Sequence, residues 1–406
     1  MNMMNILVYM ILIFIFAIGV YLLLNCIYLL FFAIAGHFLV YKEKRVVASY
    51  RNVVIFIPAY KENEVIIESS LRAIKHVYEG KFDVCVIADG LNQETVSKII
   101  GFGCNVIEVN FERSTKGKSL LYAMDHIEGP AYDIALILDI DNIMDKGFLD
   151  EVNAAFDRGA KVVQAHRTAK NLNTPFAFLD ACNEEINNHI YRKGHAAVGL
   201  SPALIGSGMA FEYNYLHNLL KDIGETVGED KEMDFKIARD RTKIVYLNDT
   251  YVFDEKIEDA AVFTQQRTRW IAAQIEFFKK YFTQGFIELF KNGNFEFFNK
   301  VLQSMLVPRM LLLGLLGLLS IISILFLKGE VAFFFPVLFL FLCLTLAISL
   351  PGKFYKDKRL WMAVVRIPYA LWCMVIALFS IRKTKSSFLH TPHAVNSETH
   401  DHSSKI

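Results

Sequence analysis

Several common signatures are absent from this sequence of 406 residues. Its six cysteines include no CxxC pair and no Cys/His cluster, so the sequence predicts buried reduced thiols rather than a zinc site or a disulfide framework. The 43 Lys and Arg residues nearly balance the 42 Asp and Glu residues, so no basic excess indicates nucleic-acid binding. With 22 glycines and 9 prolines the chain is not collagen-like or linker-dominated, and it is too apolar to be disordered.

The sequence contains long apolar stretches. Hydrophobic residues make up 54% of it and the mean hydropathy is +0.32, which indicates a membrane component. Residues 1–41 contain no Asp, Glu, Lys or Arg, and their apolar stretch far exceeds the about 7–15 residues of a signal-peptide core. No proline or charged loop divides it, so we expect one long membrane anchor rather than two short spans. The basic residues that follow, Lys42, Lys44 and Arg45, place the next segment in the cytoplasm.

Two more apolar stretches lie near the other end of the chain. Residues 310–327 and 331–352 are uncharged, and each is long enough to span a bilayer. The basic loop 353–359 after them fits the cytoplasmic side. Residues 367–381 are too short to span and contain Pro368, so we expect them to lie in, or dip into, the inner interface. The sequence therefore predicts a multi-pass protein of the plasma (inner) membrane with about three spans and a cytoplasmic catalytic domain.

Between the membrane segments, short β-rich runs alternate with helical patterns. The helical patterns lie near residues 64–78, 93–101, 117–127 and 146–158. The expected strands are Val53–Ile57, Val84–Ala88, Asn105–Val109, Ile134–Leu138 and Lys161–Ala165. This alternation predicts an α/β domain with a Rossmann-like parallel or mixed sheet. Ligands of such sheets bind beyond the carboxyl ends of the strands, so residues at those ends are the first candidates for a site.

Polar residues follow the first two expected strands. After the first come Pro58, which restricts the backbone, Tyr60, whose ring offers a flat face for a base, and Glu62, a hydrogen-bond acceptor. After the second comes Asp89, whose carboxylate can accept from a uracil N–H or a ribose hydroxyl. A plain turn before a helix and a helix N-cap are the alternative interpretations of these residues.

Cations and paired carboxylates follow the next two strands. Lys118, near Arg113 and Lys116, lies beside a predicted helix start and suits a diphosphate, although a solvated loop is the alternative. Asp139 and Asp141 leave an apolar strand at a spacing of two, which puts both side chains on one face of an extended chain. Such a pair can hold a hard divalent cation whose shell is completed by diphosphate oxygens.

Three later motifs complete the candidate set. Residues 206–211 begin Gly-Ser-Gly and predict a close-approach loop that leads into a strand. Glu229 and Asp230 open a predicted helix, where an acidic pair interacts with the helix dipole by default but can also supply a general base. Residues 265–290 begin with Gln-Gln-Arg-Thr-Arg-Trp and predict an aromatic-rich interfacial helix.

Taken in order, these motifs resemble a family-2 glycosyltransferase of the GT-A fold. The resemblance is to the membrane-embedded branch of cellulose, hyaluronan and poly-N-acetylglucosamine synthases, and it covers roughly residues 50–290 and the tail. The tail Phe388-Leu389-His390-Thr391-Pro392-His393 is similar to the element that follows the last membrane segment in that branch. The remaining signature is matched by Asp89, by Asp139-x-Asp141, by Glu229-Asp230 and by Gln266-x-x-Arg269-Trp270.

The resemblance implies a role for each motif. Asp89 binds the uridine of a UDP-sugar, assisted by Pro58, Tyr60 and Glu62, and Lys118 contacts the donor. Asp139 and Asp141 hold Mg²⁺ or Mn²⁺ on the diphosphate, with Asp141 as the more direct ligand. Asp230, beside Glu229, is the general base that deprotonates the acceptor hydroxyl, and a single acidic base without a covalent nucleophile implies inversion. Gln266, Arg269 and Trp270 line the acceptor end and steady the leaving diphosphate. Thr391 and His393 are gating residues of the tail element.

In this interpretation the acceptor is a growing extracellular or capsular polysaccharide. In the alternative interpretation the acceptor is a membrane lipid that receives one sugar. The motif Q-x-x-R-W favours polymer synthesis, whereas three spans are few for a translocation channel and favour the lipid or assembly with further copies or export-complex subunits. Glucose or N-acetylglucosamine is the expected type of donor sugar. A catalytically idle nucleotide-binding scaffold is a further alternative, although every acidic position is intact. Charge balance predicts no nucleic-acid partner.

The sequence thus predicts six segments. They are a transmembrane helix at 1–41, a GT-A catalytic domain at 42–260, interfacial amphipathic helices at 261–306, two transmembrane helices at 307–352, a basic loop with an interfacial or re-entrant helix at 353–382, and a cytoplasmic tail at 383–406.

Overall fold

Strand β1 (Val53–Tyr60) is a continuous apolar run because both faces of its sheet are covered by helices. Ile55 and Ile57 pack into the core on one face and Val54 and Phe56 into the core on the other. All four side chains are fully buried. The computed structural model describes residues 3–39, 47–224, 226 and 228–381.

The other strands of the sheet are β2 (Phe82–Asp89), β3 (Asn105–Val109), β4 (Ile134–Ile137), β5 (Ile143–Met144), β6 (Val162–Ala169), β7 (Met209–Glu212) and β8 (Ile244–Asp254). In the part of the chain that the structure describes, the eight strands form one sheet in the order β3-β2-β1-β4-β7-β6-β8-β5. Strands β1 to β4 are parallel, whereas β7 runs antiparallel to both its neighbours and β5 antiparallel to β8. All five expected strands form, and the sheet is mixed, as in a GT-A fold.

The chain divides into two compact units. The sheet unit comprises Lys44–Asn171 and Leu204–Glu255, and the helical unit comprises Met1–Glu43, Leu172–Ala203 and Lys256–Lys385, each within the described residues. Helices of the sheet unit are α2 (Val65–Ile74), α3 (Gln93–Gly101), α4 (Lys116–His126), α5 (Phe148–Asp157), α8 (Tyr213–Ile223) and α9 (Glu229–Arg239). Residues 172–203, inside the predicted catalytic segment, thus belong to the helical unit.

The helical unit contains the long apolar helices. Its helices are α1 (Met3–Ala35), α6 (Pro175–Asn187), α7 (His195–Ala197), α10 (Ala260–Asn292), α11 (Phe295–Met305), α12 (Arg309–Phe326), α13 (Val331–Ser349), α14 (Gly352–Tyr355), α15 (Arg359–Val365) and α16 (Ile367–Ser380). A 3₁₀ turn (Gly36–Phe38) follows α1, and a π-helical segment (Asn188–Gly194) joins α6 to α7.

Three helices in the described part of the chain are long and apolar enough to cross a membrane, which confirms the expected number. They are Ile13–Phe38, Arg309–Phe326 and Ala332–Ser349. Helix α1 is a single helix of 33 residues, as the absence of an internal break predicts. Helices α15 and α16 pass the same test only together and are bent by 47°, which fits either a broken span or a re-entrant segment. The basic residues 42, 44 and 45, used to predict orientation, lie outside the described residues.

Candidate active site

The carboxyl ends of β1, β2 and β4 meet where the strand order reverses. The chain adds β2 and β3 on one side of β1 and β4 on the other, and ligands of such sheets bind in the crevice at this reversal. Tyr60 and Asp89, the last residues of β1 and β2, are partners in the parallel register. Asp89 is buried, with 7% of its surface exposed. Two of the predicted donor-binding residues therefore lie side by side at the reversal.

Pro58 lies inside β1, and our expectation that the strand ends before it is wrong. The sheet accommodates this proline because β4 pairs with β1 only as far as Phe56, so the later residues have one unpaired side. Beyond the strand, the backbone of Lys61 adopts a left-handed conformation with φ of 56°. Its amide donates to the carbonyl oxygen of Asp89 at 2.9 Å, and its ammonium group lies 4.9 Å from the ring centroid of Tyr60. The ends of the two strands are thereby joined.

Asp139 follows β4 and forms an ion pair with Lys116, the first residue of α4. The side chain of Thr115 caps α4 by accepting from the amide of Lys118, which fixes the start of the helix. Lys116 also donates to the carbonyl oxygen of Gly206 at 2.7 Å. One-third of the Asp139 side chain is exposed, 34%, so its carboxylate stays accessible. A lysine from one loop thus connects the Asp-x-Asp motif to the Gly-Ser-Gly loop.

Glu229 and Asp230, at the start of α9, lie in the same cluster. A Cβ atom on Gly206 would lie 3.9 Å from Asp230 Oδ2 and 4.0 Å from Lys116 Nζ, and one on Gly117 would lie 3.6 Å from Glu229 Cβ. Both glycines therefore lie beside the charge cluster, and Gly206 also has φ of 83°, a backbone conformation that side-chain-bearing residues rarely adopt.

The charges of the cluster perturb one another. Burial alone would lower the pKa of Lys116, but the carboxylates of Asp139, Glu229 and Asp230 hold that pKa above its ordinary value. Burial raises the pKa of Glu229 to about 7, against the attraction of Lys116 and with the help of the negative charge of Asp230. A perturbed carboxylate beside a specific charge partner in a strand-end crevice is a typical functional-site signature.

Asp141 has a different environment from Asp139. It is buried, with 2% of its surface exposed, and its two oxygens accept from the amide of Glu255 at 2.9 Å and the side chain of Asn142 at 3.0 Å. Both acidic residues lie in a turn beyond β4, so the alternation of an extended strand does not apply to them. The hydroxyl of Ser207 accepts from the amide of Asp139 at 2.9 Å and donates to Asn142, which joins the two ends of the turn.

The sequence interpretation of the cations singled out Lys118, whereas the structure brings Lys116 into the acidic cluster. Lys118 lies 4.7 Å from the ring centroid of Phe111. Glu62 is half-buried. Lys116, Ser207 and Asn142 are absent from the predicted site residues, although Lys116 has a sequence signal as a cation at a helix start and Ser207 as part of the Gly-Ser-Gly loop. The donor-binding roles of Lys118 and Glu62 stay predictions.

Gln266, Arg269 and Trp270 belong to the helical unit, on α10. Gln266 Oε1 is buried and has no hydrogen-bond partner within the described segments, and 41% of Trp270 is exposed. Arg267, between the motif positions, forms an ion pair with Asp180, and its guanidinium carbon lies 4.0 Å from the ring centroid of Trp270. A second ring, that of Phe263, lies 4.6 Å from the same atom. Trp270 is therefore held by a stacked arginine that the motif itself does not include.

The acidic residues fit a divalent cation in their chemistry. The accessible carboxylate of Asp139 already balances a positive charge, that of Lys116, and carboxylate oxygens suit Mg²⁺ or Mn²⁺. Among the described residues, no group of three or more His, Cys, Asp and Glu side chains could hold a metal ion. An ion at Asp139 and Asp141 would therefore need further oxygen ligands from a bound molecule. Thr391 and His393 lie outside the described residues.

Comparison with known proteins identifies one family and a set of structural neighbours. The description "Glycosyltransferase like family 2" matches residues 51–273, more than half of the chain. A search of curated proteins finds no match. The mannosyltransferase PcManGT from Pyrobaculum calidifontis, solved in complex with GDP-Man and Mn²⁺, superimposes with a TM-score of 0.51 at 16% identity, over 91% of this chain and 99% of that chain.

A second neighbour is more distant. Glucosyl-3-phosphoglycerate synthase from Mycobacterium tuberculosis, solved in complex with Mg²⁺ and UDP, matches with a TM-score of 0.37 at 18% identity, over 53% of this chain and 74% of that chain. At 16% identity the likeness to PcManGT shows a common fold.

Proposed function

This chain belongs to glycosyltransferase-like family 2, and on that premise we propose that it transfers a sugar from a UDP-sugar to a growing polysaccharide. The transfer takes place at the inner face of the plasma membrane, inverts the anomeric centre and uses a divalent metal. The observation that carries the proposal is the cluster of Lys116, Asp139, Glu229 and Asp230 at the carboxyl ends of the parallel strands. Glucose or N-acetylglucosamine is the type of sugar we propose.

We assign donor binding to the crevice where the strand order reverses. Asp89 accepts from the uracil or ribose of the nucleotide, and the ring of Tyr60 beside it offers a stacking face. Pro58 and Glu62 shape the same crevice. Lys116 and the predicted Lys118 supply positive charge for the diphosphate, which leaves as an anion and needs neutralisation.

Asp139 and Asp141 would hold Mg²⁺ or Mn²⁺ together with diphosphate oxygens. When bound, such an ion neutralises charge on the leaving diphosphate. The resemblance makes Asp141 the more direct ligand, but Asp139 is the more accessible of the two, so we propose that Asp139 binds the ion directly. Asp141 is suited to fix the turn, because both its oxygens accept hydrogen bonds from the protein.

Asp230 is assigned the proton transfer. The acceptor hydroxyl oxygen forms a bond to the anomeric carbon of the sugar as the bond from that carbon to the diphosphate breaks, and the hydroxyl proton passes to the Asp230 carboxylate. UDP leaves with the electron pair. Attack opposite the leaving group inverts the anomeric centre, so an α-linked donor yields a β-glycoside. Glu229 lies beside Asp230 and Lys116 in the same cluster.

The acceptor is assigned to Gln266, Arg269 and Trp270 on the strength of the Q-x-x-R-W motif. An exposed indole held by a stacked arginine offers a flat apolar face of the kind that sugar rings bind. The alternative acceptor is a membrane lipid, polyprenyl-linked or glycolipid, that receives one sugar. It is favoured by the small number of candidate spans.

The test is product analysis by mass spectrometry. The purified full chain in lipid nanodiscs is incubated with a panel of UDP-sugars and Mg²⁺ or Mn²⁺, and GDP-mannose is added to the panel because PcManGT was solved with GDP-Man. We expect a ladder of products one sugar apart from a single UDP-sugar. One sugar on a lipid would establish the alternative acceptor. Failure of every donor to yield a product or free nucleotide would contradict the transferase and favour a nucleotide-binding scaffold.

A further inference from the structure

Helix α12, one of the candidate spans, begins with a buried arginine. Only 7% of the surface of Arg309 is exposed. Burial of a guanidinium group is costly unless hydrogen bonds and an opposite charge compensate for the lost water. The neighbours of Arg309 should therefore show what compensates for its charge.

The hydrogen bonds that Arg309 forms with described residues all go to neutral groups. Its Nη2 donates to the carbonyl oxygen of Asn183 at 3.1 Å, to Asn183 Oδ1 at 2.8 Å and to Asn187 Oδ1 at 2.7 Å. The ring centroid of Tyr191 lies 5.9 Å from its Cζ. Nη1 is buried and has no hydrogen-bond partner among residues 3–39, 47–224, 226 and 228–381. One side of the guanidinium is thus satisfied by amide oxygens, and the other side has donors without acceptors.

No carboxylate among the described residues forms an ion pair with Arg309. Glu184 attracts it electrostatically, but that carboxylate lies 3.5 Å from Arg192. Asp180 is paired with Arg267. The arginines 192 and 267 have carboxylate partners, so Arg309 differs from them in having only neutral ones.

The two asparagines add further donors. Arginine has no acceptor, so the side-chain oxygens of Asn183 and Asn187 must face Arg309, and their amide nitrogens point away from it. Both side chains are half-buried, and neither amide nitrogen has a hydrogen-bond partner in the described part of the chain. Together with Nη1 they form a group of donors without acceptors, which suits an anion with several oxygens.

The position of Arg309 indicates the source of that anion. It is the first residue of a helix whose other 17 residues are uncharged, and cationic side chains at the ends of such helices lie at the level of lipid headgroups. We propose that Arg309, Asn183 and Asn187 form a binding site for the phosphate of a membrane-lipid headgroup. The site does not depend on the transferase activity.

The test measures binding of short-chain lipids to the full chain in detergent by native mass spectrometry. We expect the wild type to bind dioctanoyl phosphatidic acid, and dioctanoylglycerol, which lacks the phosphate, not to bind. Arg309→Gln should weaken phosphatidic acid binding by about tenfold or more, because a charge-assisted hydrogen bond is lost. Arg366→Gln is the matched control, since it removes an exposed arginine at the start of another apolar helix and should bind like the wild type.

A second variant keeps the proposal testable if Arg309→Gln does not fold. Asn187→Asp would place a carboxylate on Arg309, so we expect the melting temperature to stay level or rise while phosphatidic acid binding is lost. Wild-type lipid binding by Arg309→Gln or by Asn187→Asp would overturn the site. Competition by inorganic phosphate as strong as that by phosphatidic acid would overturn the lipid assignment, because it would indicate a soluble anion.

Discussion

The ammonium group of Lys116 binds the carboxylate of Asp139 and, at 2.7 Å, the carbonyl oxygen of Gly206. This contact connects the loop after β3 to the turn after β4 and to the loop before β7. It also explains how three carboxylates can lie close together in a partly buried crevice, because their repulsion is offset by a cation among them. In the proposed reaction, that cation also faces the leaving diphosphate.

A pair of matched substitutions distinguishes the role of Lys116 from that of Lys118. Lys116→Met removes the cation from the acidic cluster, so we expect UDP affinity and turnover to fall at least about tenfold, with Lys116→Arg restoring part of both. Lys118→Met removes a cation that lies over Phe111 and should have the smaller effect. UDP titration calorimetry and nucleotide-release assays measure both. A larger loss from Lys118→Met would transfer the diphosphate contact to Lys118.

The two acidic residues of the turn should respond differently to neutralisation. Asp139→Asn changes an accessible side chain, so we expect metal-dependent UDP binding to be lost with little change in thermal stability. Asp141→Asn leaves one acceptor oxygen for two donors, the backbone N–H of Glu255 and the side chain of Asn142, which should cost about 1–3 kcal/mol of unfolding free energy as well. Calorimetry with and without Mn²⁺ measures the loss of UDP binding in each variant, and thermal unfolding measures the loss of stability. Equal stability losses would show that the turn does not depend on Asp141.

His195 predicts a pH dependence of stability in the helical unit. It is fully buried; its Nδ1 donates to the carbonyl oxygen of Ile190 at 2.9 Å, and the ring of Phe32 stacks on it at 3.7 Å. Burial lowers the pKa of His195 from 6.5 to about 3. Below pH 6.5 the unfolded chain therefore takes up a proton that the folded chain does not, and stability falls by up to about 1.4 kcal/mol per pH unit.

We therefore expect thermal unfolding of the wild type to shift downward more steeply between pH 7.5 and 4.5 than that of His195→Gln. The exposed His126→Gln is the control and should follow the wild type. Parallel curves for the wild type and His195→Gln would show that His195 does not stay neutral in the folded protein.

Several parts of this fold could be predicted from the sequence because their signals are local. Strand β1 shows as an apolar run, and Asp139 and Asp141 show as a carboxylate pair after a strand. The sequence predicts too early an end for β1, because a proline usually stops a strand, whereas here the missing partner strand on one side admits Pro58.

Other parts depend on tertiary contacts. Whether Lys116 or Lys118 faces the carboxylates depends on how α4 is rotated against the sheet, and residues two apart on a helix point in different directions. The antiparallel insertion of β7 between β4 and β6 has no local signature either. By contrast, the spacing of Phe263, Arg267 and Trp270 puts them on one face of a helix and could have predicted their stacking.

The role of Asp230 is tested most directly by comparing UDP release and UDP binding in the wild type, in Asp230→Asn and in the control Asp222→Asn. Asp222 is an exposed aspartate of the same unit. Asparagine keeps the oxygen that accepts from the Lys231 amide at 2.8 Å, so the local fold should be retained. We predict that Asp230→Asn lowers turnover about 10²–10⁴-fold while its UDP affinity and the activity of Asp222→Asn stay near wild type. Wild-type turnover by Asp230→Asn would contradict the assignment of Asp230 as the base and, with it, the proposed mechanism of transfer.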